Sequence, residues 1–141
     1  MPENPTVPPA HVLVVAVALV DGAGRLCLQQ RPLTKQHGGL WEFPGGKVET
    51  GESPRCALVR EISEELGVGL DPMELVPAGF ADSERLSILL FACREWTGEV
   101  QCLEGEAIGW FAPADMAELA MPPLDLPLVE RVGQLLAAGA I

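Results

Sequence analysis

The sequence predicts an α/β fold, a three-layer α/β/α sandwich built round a mixed central sheet. Three observations carry this. Short strand-like segments rich in Val, Leu and Ala recur along the chain, separated by turns containing Gly and Pro. A sharply bounded helix interrupts them in the middle, and helical segments close the C-terminal end. The chain has 141 residues and 48% hydrophobic content, enough for one core without disulfide or metal staples. It therefore reads as a single domain over residues 11–141, preceded by a flexible tail over residues 1–10 that carries four prolines.

Residues 11–20 are nearly continuous Val, Leu and Ala, as in a strand buried on both faces. Asp21-Gly22-Ala23-Gly24 turns the chain into a second strand, residues 25–30. Residues 32–39 form a loop that could border a substrate. Trp41 and Phe43 alternate round Glu42, which fits a half-buried strand. Ser53-Pro54 then starts a helix, with a hydroxyl N-cap and a proline where the missing N–H costs nothing. Gly67 suits the left-handed position just past its end. Ala57, Leu58 and Ile62 give that helix an inward stripe, and Cys56 and Leu66 are also apolar. Strands are expected over residues 75–81, 86–93, 99–102 and 107–111, and helices over 114–120 and 126–138. No internal repeat appears.

Nine basic against twenty acidic residues leave a net charge of −11, which argues against nucleic-acid binding. Cys27, Cys56, Cys93 and Cys102 lack the spacing of metal ligands, and three lie in apolar runs. They read as small buried hydrophobes in a reducing compartment, with the cytoplasm expected. No signal peptide or membrane span is expected, since the apolar run over residues 12–20 is only nine residues long.

The central helix carries chemistry as well as packing. Glu61, Glu64 and Glu65 stand at i, i+3 and i+4, so a helix would place all three carboxylates on one face. Like charges so placed repel, and bound divalent cations would remove the penalty. Carboxylates with a carbonyl from the Gly45-Gly46 turn form a hard oxygen set, suited to Mg²⁺ or Mn²⁺ rather than zinc. Mg²⁺ keeps several waters and favours substrate phosphates, so a phosphorylated ligand is expected. The alternative is a plain acidic surface helix.

The wider spacing bears on that choice. Gly46 is followed by five residues and Glu52, then seven residues and Arg60-Glu61-Ile62, then Glu64-Glu65, Gly67 and Val68. A chance match at every defined position is on the order of one in ten million. The segment resembles the box of the Nudix hydrolases, which use divalent cations to cleave nucleoside diphosphates linked to another group. The resemblance implies that Glu61, Glu64 and Glu65, with the Gly45 carbonyl, are the cation ligands. It implies that Arg60 orients the carboxylates and that Glu52 holds the loop against the helix. A water activated between cation and carboxylate would attack phosphorus. Glu61 is the expected base, although some relatives use an acid from a distant loop.

The similarity extends over roughly residues 10–137. Gly39-Leu40-Trp41-Glu42-Phe43-Pro44-Gly45-Gly46-Lys47 is similar to the segment before the box in the MutT-type branch, which converts nucleoside triphosphates to monophosphate and pyrophosphate. Glu42, Phe43 and Lys47 thereby become candidate substrate contacts. Arg31 resembles a nucleotide-contacting arginine and Glu104 an additional cation-binding glutamate of that branch. Each has another reading: Arg31 as a surface residue ending a strand, Glu104 as part of an acidic loop.

Pro122-Pro123-Leu124-Asp125-Leu126-Pro127 is similar to the start of the C-terminal helix that contacts the base. MutT-type enzymes that remove 8-oxo-dGTP carry asparagine where Asp125 stands. An amide can both accept from and donate to the oxidised guanine edge, whereas an ionised carboxylate only accepts. Asp125 could instead take the N4 amine of cytosine, mimic the amide when protonated, or merely cap the helix. The expected activity is Mg²⁺-dependent hydrolysis of (deoxy)nucleoside triphosphates, with clearance of 8-oxo-dGTP foremost. A CTP, dCTP or 5-methyl-dCTP pyrophosphohydrolase is the alternative. An ADP-ribose-type hydrolase or a non-catalytic nucleotide-binding module is expected less. The expected partner is a small nucleotide, with neither nucleic acid nor membrane, and the chain is expected to be a monomer or homodimer.

Overall fold

Strand β1, Val12–Leu19, organises the molecule because both of its faces are covered. In the computed structural model, which describes residues 10–141, its residues alternate between two apolar clusters. Val15, Val17 and Leu19 pack against helix α1, Pro54–Leu66, through Leu58 and Ile62. Ala16 and Ala18 face helix α3, Asp125–Ala137, through Leu128 and Val132. A strand buried on both sides has no solvent phase, which is why its sequence is apolar without alternation. The predicted layering of helix, mixed sheet and helix is observed. The predicted tail falls almost wholly outside the described residues.

Two sheets run through the molecule. The larger has the order β4-β1-β6-β5, with β4 spanning Gly45–Lys47, β5 Val76–Asp82 and β6 Leu86–Cys93. Strands β1 and β6 are parallel in a register running from Val12↔Leu86 to Leu19↔Cys93, and the other pairs are antiparallel. The smaller sheet has the order β3-β2-β7, with β2 spanning Leu26–Gln30, β3 Trp41–Glu42 and β7 Ala107–Phe111. The turn after β1 therefore passes the chain from one sheet to the other. Asp21 fixes it by accepting from the Ala23 and Arg25 N–H groups at 3.0 and 2.8 Å.

The central helix follows its end signals. Ser53 Oγ accepts from the Cys56 N–H at 3.2 Å, Pro54 opens the helix, and Gly67 closes it at φ 70°. Its buried stripe is Ala57, Leu58, Ile62, Glu65 and Leu66, an apolar row broken by one carboxylate.

Three expectations are corrected. Residues 99–102 form no strand. Gln101 N–H donates to Leu66 O and Leu103 N–H to Glu65 O, both at 2.9 Å, so these donors satisfy free carbonyls at the end of α1 instead of a ladder. The helix expected over residues 114–120 is one turn, α2, Pro113–Met116. The Ala120 carbonyl beyond it accepts from Trp41 N–H at 2.9 Å and Pro122-Pro123 follows, so the chain leaves the helical path. Finally, Cys27 and Cys93 are buried as expected, but Cys56 and Cys102 are exposed. Cys56 lies on the outer face of α1, and Cys102 lies in the segment between β6 and β7, where Cys102 Sγ donates to Gly105 O at 3.0 Å.

Candidate active site

A cavity of about 330 Å³ opens between the two sheets. Gly45, Gly46 and Lys47 of β4, Glu61 and Glu65 of α1, and Glu104 between β6 and β7 reach its wall. Arg31, Glu42, Phe43 and Asp125 reach it from elsewhere. Glu64, Arg60 and Glu52 do not line it. The two-in, one-out split of the glutamates follows from the helix. Glu65 lies on the buried stripe beside Leu58 and Ile62, Glu61 is next to it, and Glu64 is rotated outward with half its side chain exposed.

The close approach of α1 to β4 depends on glycine. A Cβ on Gly46 would lie 2.3 Å from Glu61 Cδ, and one on Gly45 would lie 1.9 Å from Val15 O. Behind them Arg60 acts as a clamp. Its Nε and Nη2 donate to the two Glu52 oxygens at 2.8 and 2.9 Å, Nη1 donates to Glu61 at 3.1 Å, and Nη2 donates to Lys47 O at 3.2 Å. Arg60 also reaches Glu64, at 3.5 Å. Arg60, by donating to its oxygens, holds the Glu52 carboxyl down at about 2.

The carboxylates inside the cavity shift the other way. Burial first, then the charges of Glu61, Glu104 and Glu42, push Glu65 up to about 8, against a lowering contact from the Gly45 N–H. Burial likewise raises Glu61, with Arg60 opposing it and Glu64 and Glu104 adding to it. Glu65 is only 7% exposed, and its Oε2 has no hydrogen-bond partner. A buried oxygen left without a partner is costly and suits a cation or a donor delivered by a ligand. Among the described residues no three acidic or other ligating side chains converge closely enough to hold an ion unaided. The donor set is nonetheless all oxygen, includes an orphaned buried carboxylate oxygen and relieves mutual repulsion on binding a cation, so these residues fit Mg²⁺ or Mn²⁺. Mg²⁺ keeps waters and takes few protein carboxylates, so a closed protein cage is not required.

Glu104 reaches this group because of the backbone contacts that abolish the expected strand. With Leu103 N–H on Glu65 O and Glu106 N–H on Gln30 O, the turn between them is tied to both α1 and β2. On another part of the wall Arg31 Nη1 donates to both Glu42 oxygens at 3.0 and 3.1 Å, and its Nε donates to Gln36 O at 2.9 Å. Burial raises the Glu42 carboxyl and the Arg31 charge opposes the rise.

Asp125 opens α3, is 5% exposed and does not cap its own helix. Its Oδ2 accepts from the Phe43 N–H at 3.1 Å, joining α3 to the segment between β3 and β4. Burial pushes it up to about 7, helped by the charge of Glu42 and opposed by the Phe43 N–H and Arg31. Phe43 itself is almost wholly buried and belongs to the core cluster on the α3 side, while also bordering the cavity. Lys47 is exposed at the mouth. Pro32 and Lys35 of the 32–39 loop also border the cavity, as expected of that loop.

Two contributors were not legible as site residues. Gln29 is buried on the cavity wall, and its only sequence signal is a polar residue on the inward phase of an apolar strand. Gly105, which packs against it, gave none.

The NUDIX domain family model matches residues 10–132. The chain is 37% identical over 129 residues to the CTP pyrophosphohydrolase of Escherichia coli strain K12, covering 90% of this chain and 96% of that one. It is 31% identical over 127 residues to the 8-oxo-dGTP diphosphatase of the same organism, covering 87% and 98%. A solved MutT structure, described for Aliivibrio salmonicida and Vibrio cholerae, superposes with a TM-score of 0.79 at 34% identity, covering 88% and 98%.

Proposed function

This chain belongs to the Nudix family, and from that premise we propose that it cleaves (deoxy)nucleoside triphosphates to the monophosphate and pyrophosphate with a divalent cation. It is a nucleotide hydrolase of that family. The observation that carries the finer reading is the shared cavity, which has the acidic group of Glu61, Glu65 and Glu104 on one part of its wall and Arg31, Glu42 and Asp125 on another. A polyphosphate and a base each find a chemically suited wall there.

Glu61, Glu65, Glu104 and the Gly45 carbonyl would hold Mg²⁺, or Mn²⁺ in its place, with Glu64 reaching in from the rim. The cation would neutralise phosphate oxygens and polarise the attacking water. Glu61 is the residue proposed to take that water's proton, and the Arg60–Glu52 clamp fixes the direction of its carboxylate. Lys47 offers its ammonium to the phosphates at the mouth. Arg31, aligned by Glu42, faces the nucleotide.

Clearance of 8-oxo-dGTP is the first reading of the substrate. Asp125, pushed up to about 7, is part-protonated at neutral pH and can donate as an amide would. Cytosine nucleotides are the second reading, favoured by the same carboxyl in its ionised form, a pure acceptor for the N4 amine. With a net charge of −11 and four unpaired cysteines, we infer a cytoplasmic enzyme acting on small nucleotides, as monomer or homodimer.

The test is incubation with Mg²⁺ and dGTP, 8-oxo-dGTP, CTP, dCTP, 5-methyl-dCTP or ADP-ribose, with monophosphate and pyrophosphate quantified. Preference for 8-oxo-dGTP supports the first reading and preference for cytosine nucleotides the second. Release of AMP and ribose phosphate from ADP-ribose, with every triphosphate untouched, would overturn both.

A further inference from the structure

Among the described residues, two buried side-chain atoms lack a hydrogen-bond partner: Glu65 Oε2 and Gln29 Oε1. Both belong to the wall of the same cavity. Strand β2 places Gln29 there by alternation. Leu26 and Leu28 point into the cluster beneath α3, while Cys27 packs on the α1 side and Gln29 follows it two residues later. Gln29 is 4% exposed, so bulk solvent does not satisfy its amide oxygen. An apolar side chain would fill the position without that penalty, and retaining a buried polar group without a partner points to one supplied by what the cavity holds.

The neighbour of Gln29 narrows the choice. A Cβ on Gly105 would lie 2.5 Å from Gln29 Cγ and 3.0 Å from its Oε1, so the amide sits directly against the residue after Glu104. The turn is tied to α1 through Leu103 and to β2 through Glu106, and Gln29 fills the space between the two ties. We propose that Gln29 is a positioning residue of the cation site. Its stem sets the Glu104–Gly105 turn relative to Glu65, and Oε1 accepts a hydrogen bond from the hydration shell of the cation held by Glu61, Glu65 and Glu104. Groups that orient ligands or bound waters from just outside them commonly change cation affinity by 10-fold or more when removed. This inference rests on the reading of the cavity as a cation site.

The experiment measures Mn²⁺ binding without nucleotide, by the electron-paramagnetic-resonance signal of free Mn²⁺, for the wild type, Gln29→Leu, Gln29→Glu, Gln29→Asn and Glu65→Gln. Gln29→Leu is expected to weaken Mn²⁺ binding about 10-fold, to melt at or above the wild-type temperature without cation, and to lower kcat with the nucleotide KM unchanged at saturating cation. Gln29→Glu keeps the acceptor and should hold or improve Mn²⁺ affinity. Gln29→Asn withdraws the oxygen by one methylene and should weaken binding even if the leucine variant folds poorly. Wild-type Mn²⁺ affinity in both the Leu and Asn variants, with Glu65→Gln weakened, overturns the role of Gln29 and leaves the cation site standing. A raised nucleotide KM with unchanged Mn²⁺ affinity also overturns it, by making the nucleotide the partner of the amide. No Mn²⁺ binding by the wild type would overturn the cation reading and this inference together. Mn²⁺ binding with the expected variant pattern, but no triphosphate cleavage, would leave Gln29 in its role and remove only the proposed activity.

Discussion

Gly46→Ala separates the geometry of the site from the stability of the fold. The added Cβ would stand 2.3 Å from Glu61 Cδ and 2.4 and 2.5 Å from its two oxygens. Ordinary carbon contacts are about 3.5–4.0 Å, so the carboxyl must retreat by roughly 1 Å or more. It is the far end of a flexible side chain, tied by Arg60 Nη1 at 3.1 Å, and Gly46 has no positive φ that would strain an alanine. The conformational cost is therefore about 1 kcal/mol, in part offset by the lower entropy of the unfolded chain. The melting temperature should move by no more than about 4 °C. Displacing a reacting group by about 1 Å can cost about 100-fold in rate, and that is the loss expected in kcat. Gly45→Ala is the contrast, because its Cβ would meet backbone, with Val15 O at 1.9 Å and Ala16 Cα at 2.7 Å. Strand β4 would have to leave β1, at a cost of about 3 kcal/mol and about 10 °C. Thermal melts without cation, paired with pyrophosphate release from the preferred triphosphate, read both quantities. A Gly46→Ala protein that melts like the wild type and turns over at the wild-type rate would refute the placement of Glu61 at the reacting centre.

Asp125→Asn should shift base preference more than overall rate in competition between 8-oxo-dGTP and dCTP, and an unchanged preference would remove Asp125 from base contact. The same variant has a pH signature. With its pKa raised from 3.8 to about 7 in the folded chain, Asp125 contributes stability that is complete below about pH 4 and is lost as pH rises through 7. The full loss is on the order of 4 kcal/mol at 1.36 kcal/mol per pH unit, so the asparagine variant should gain on the wild type as melts move from pH 5 to pH 8. Parallel melting curves across that range would contradict the burial argument. Glu64→Gln should lower turnover about 100-fold at limiting Mg²⁺ while leaving the cation-free melting temperature unchanged within about 2 °C, since the residue is half exposed. Near-normal turnover would take Glu64 out of the cation's ligand set.

The central helix and the row of carboxylates it carries are legible because the signals are local. Ser53-Pro54, the apolar spacing of Ala57, Leu58 and Ile62, and Gly67 each act within a few residues, and the spacing of Glu61, Glu64 and Glu65 is a property of any helix. The same holds for β1, whose unbroken apolar run records burial on both faces. What failed was decided at a distance. The composition of residues 99–102 suggests a strand, but the Gln101 and Leu103 N–H groups meet the free carbonyls of α1, more than thirty residues earlier, and this contact, with the tie of Glu106 to β2, brings Glu104 beside Glu65.

The sequence by itself therefore determined the family, the α/β/α layering and the types of group in the site, since hydrophobic period, caps and residue spacing are encoded within single elements. Only the tertiary structure decided which groups share a cavity. The outward turn of Glu64, the burial of Asp125 against the Phe43 N–H and the orphaned amide of Gln29 depend on what packs against each element. The pKa of a carboxyl and the partner of an amide are set by neighbours that a linear chain does not yet have.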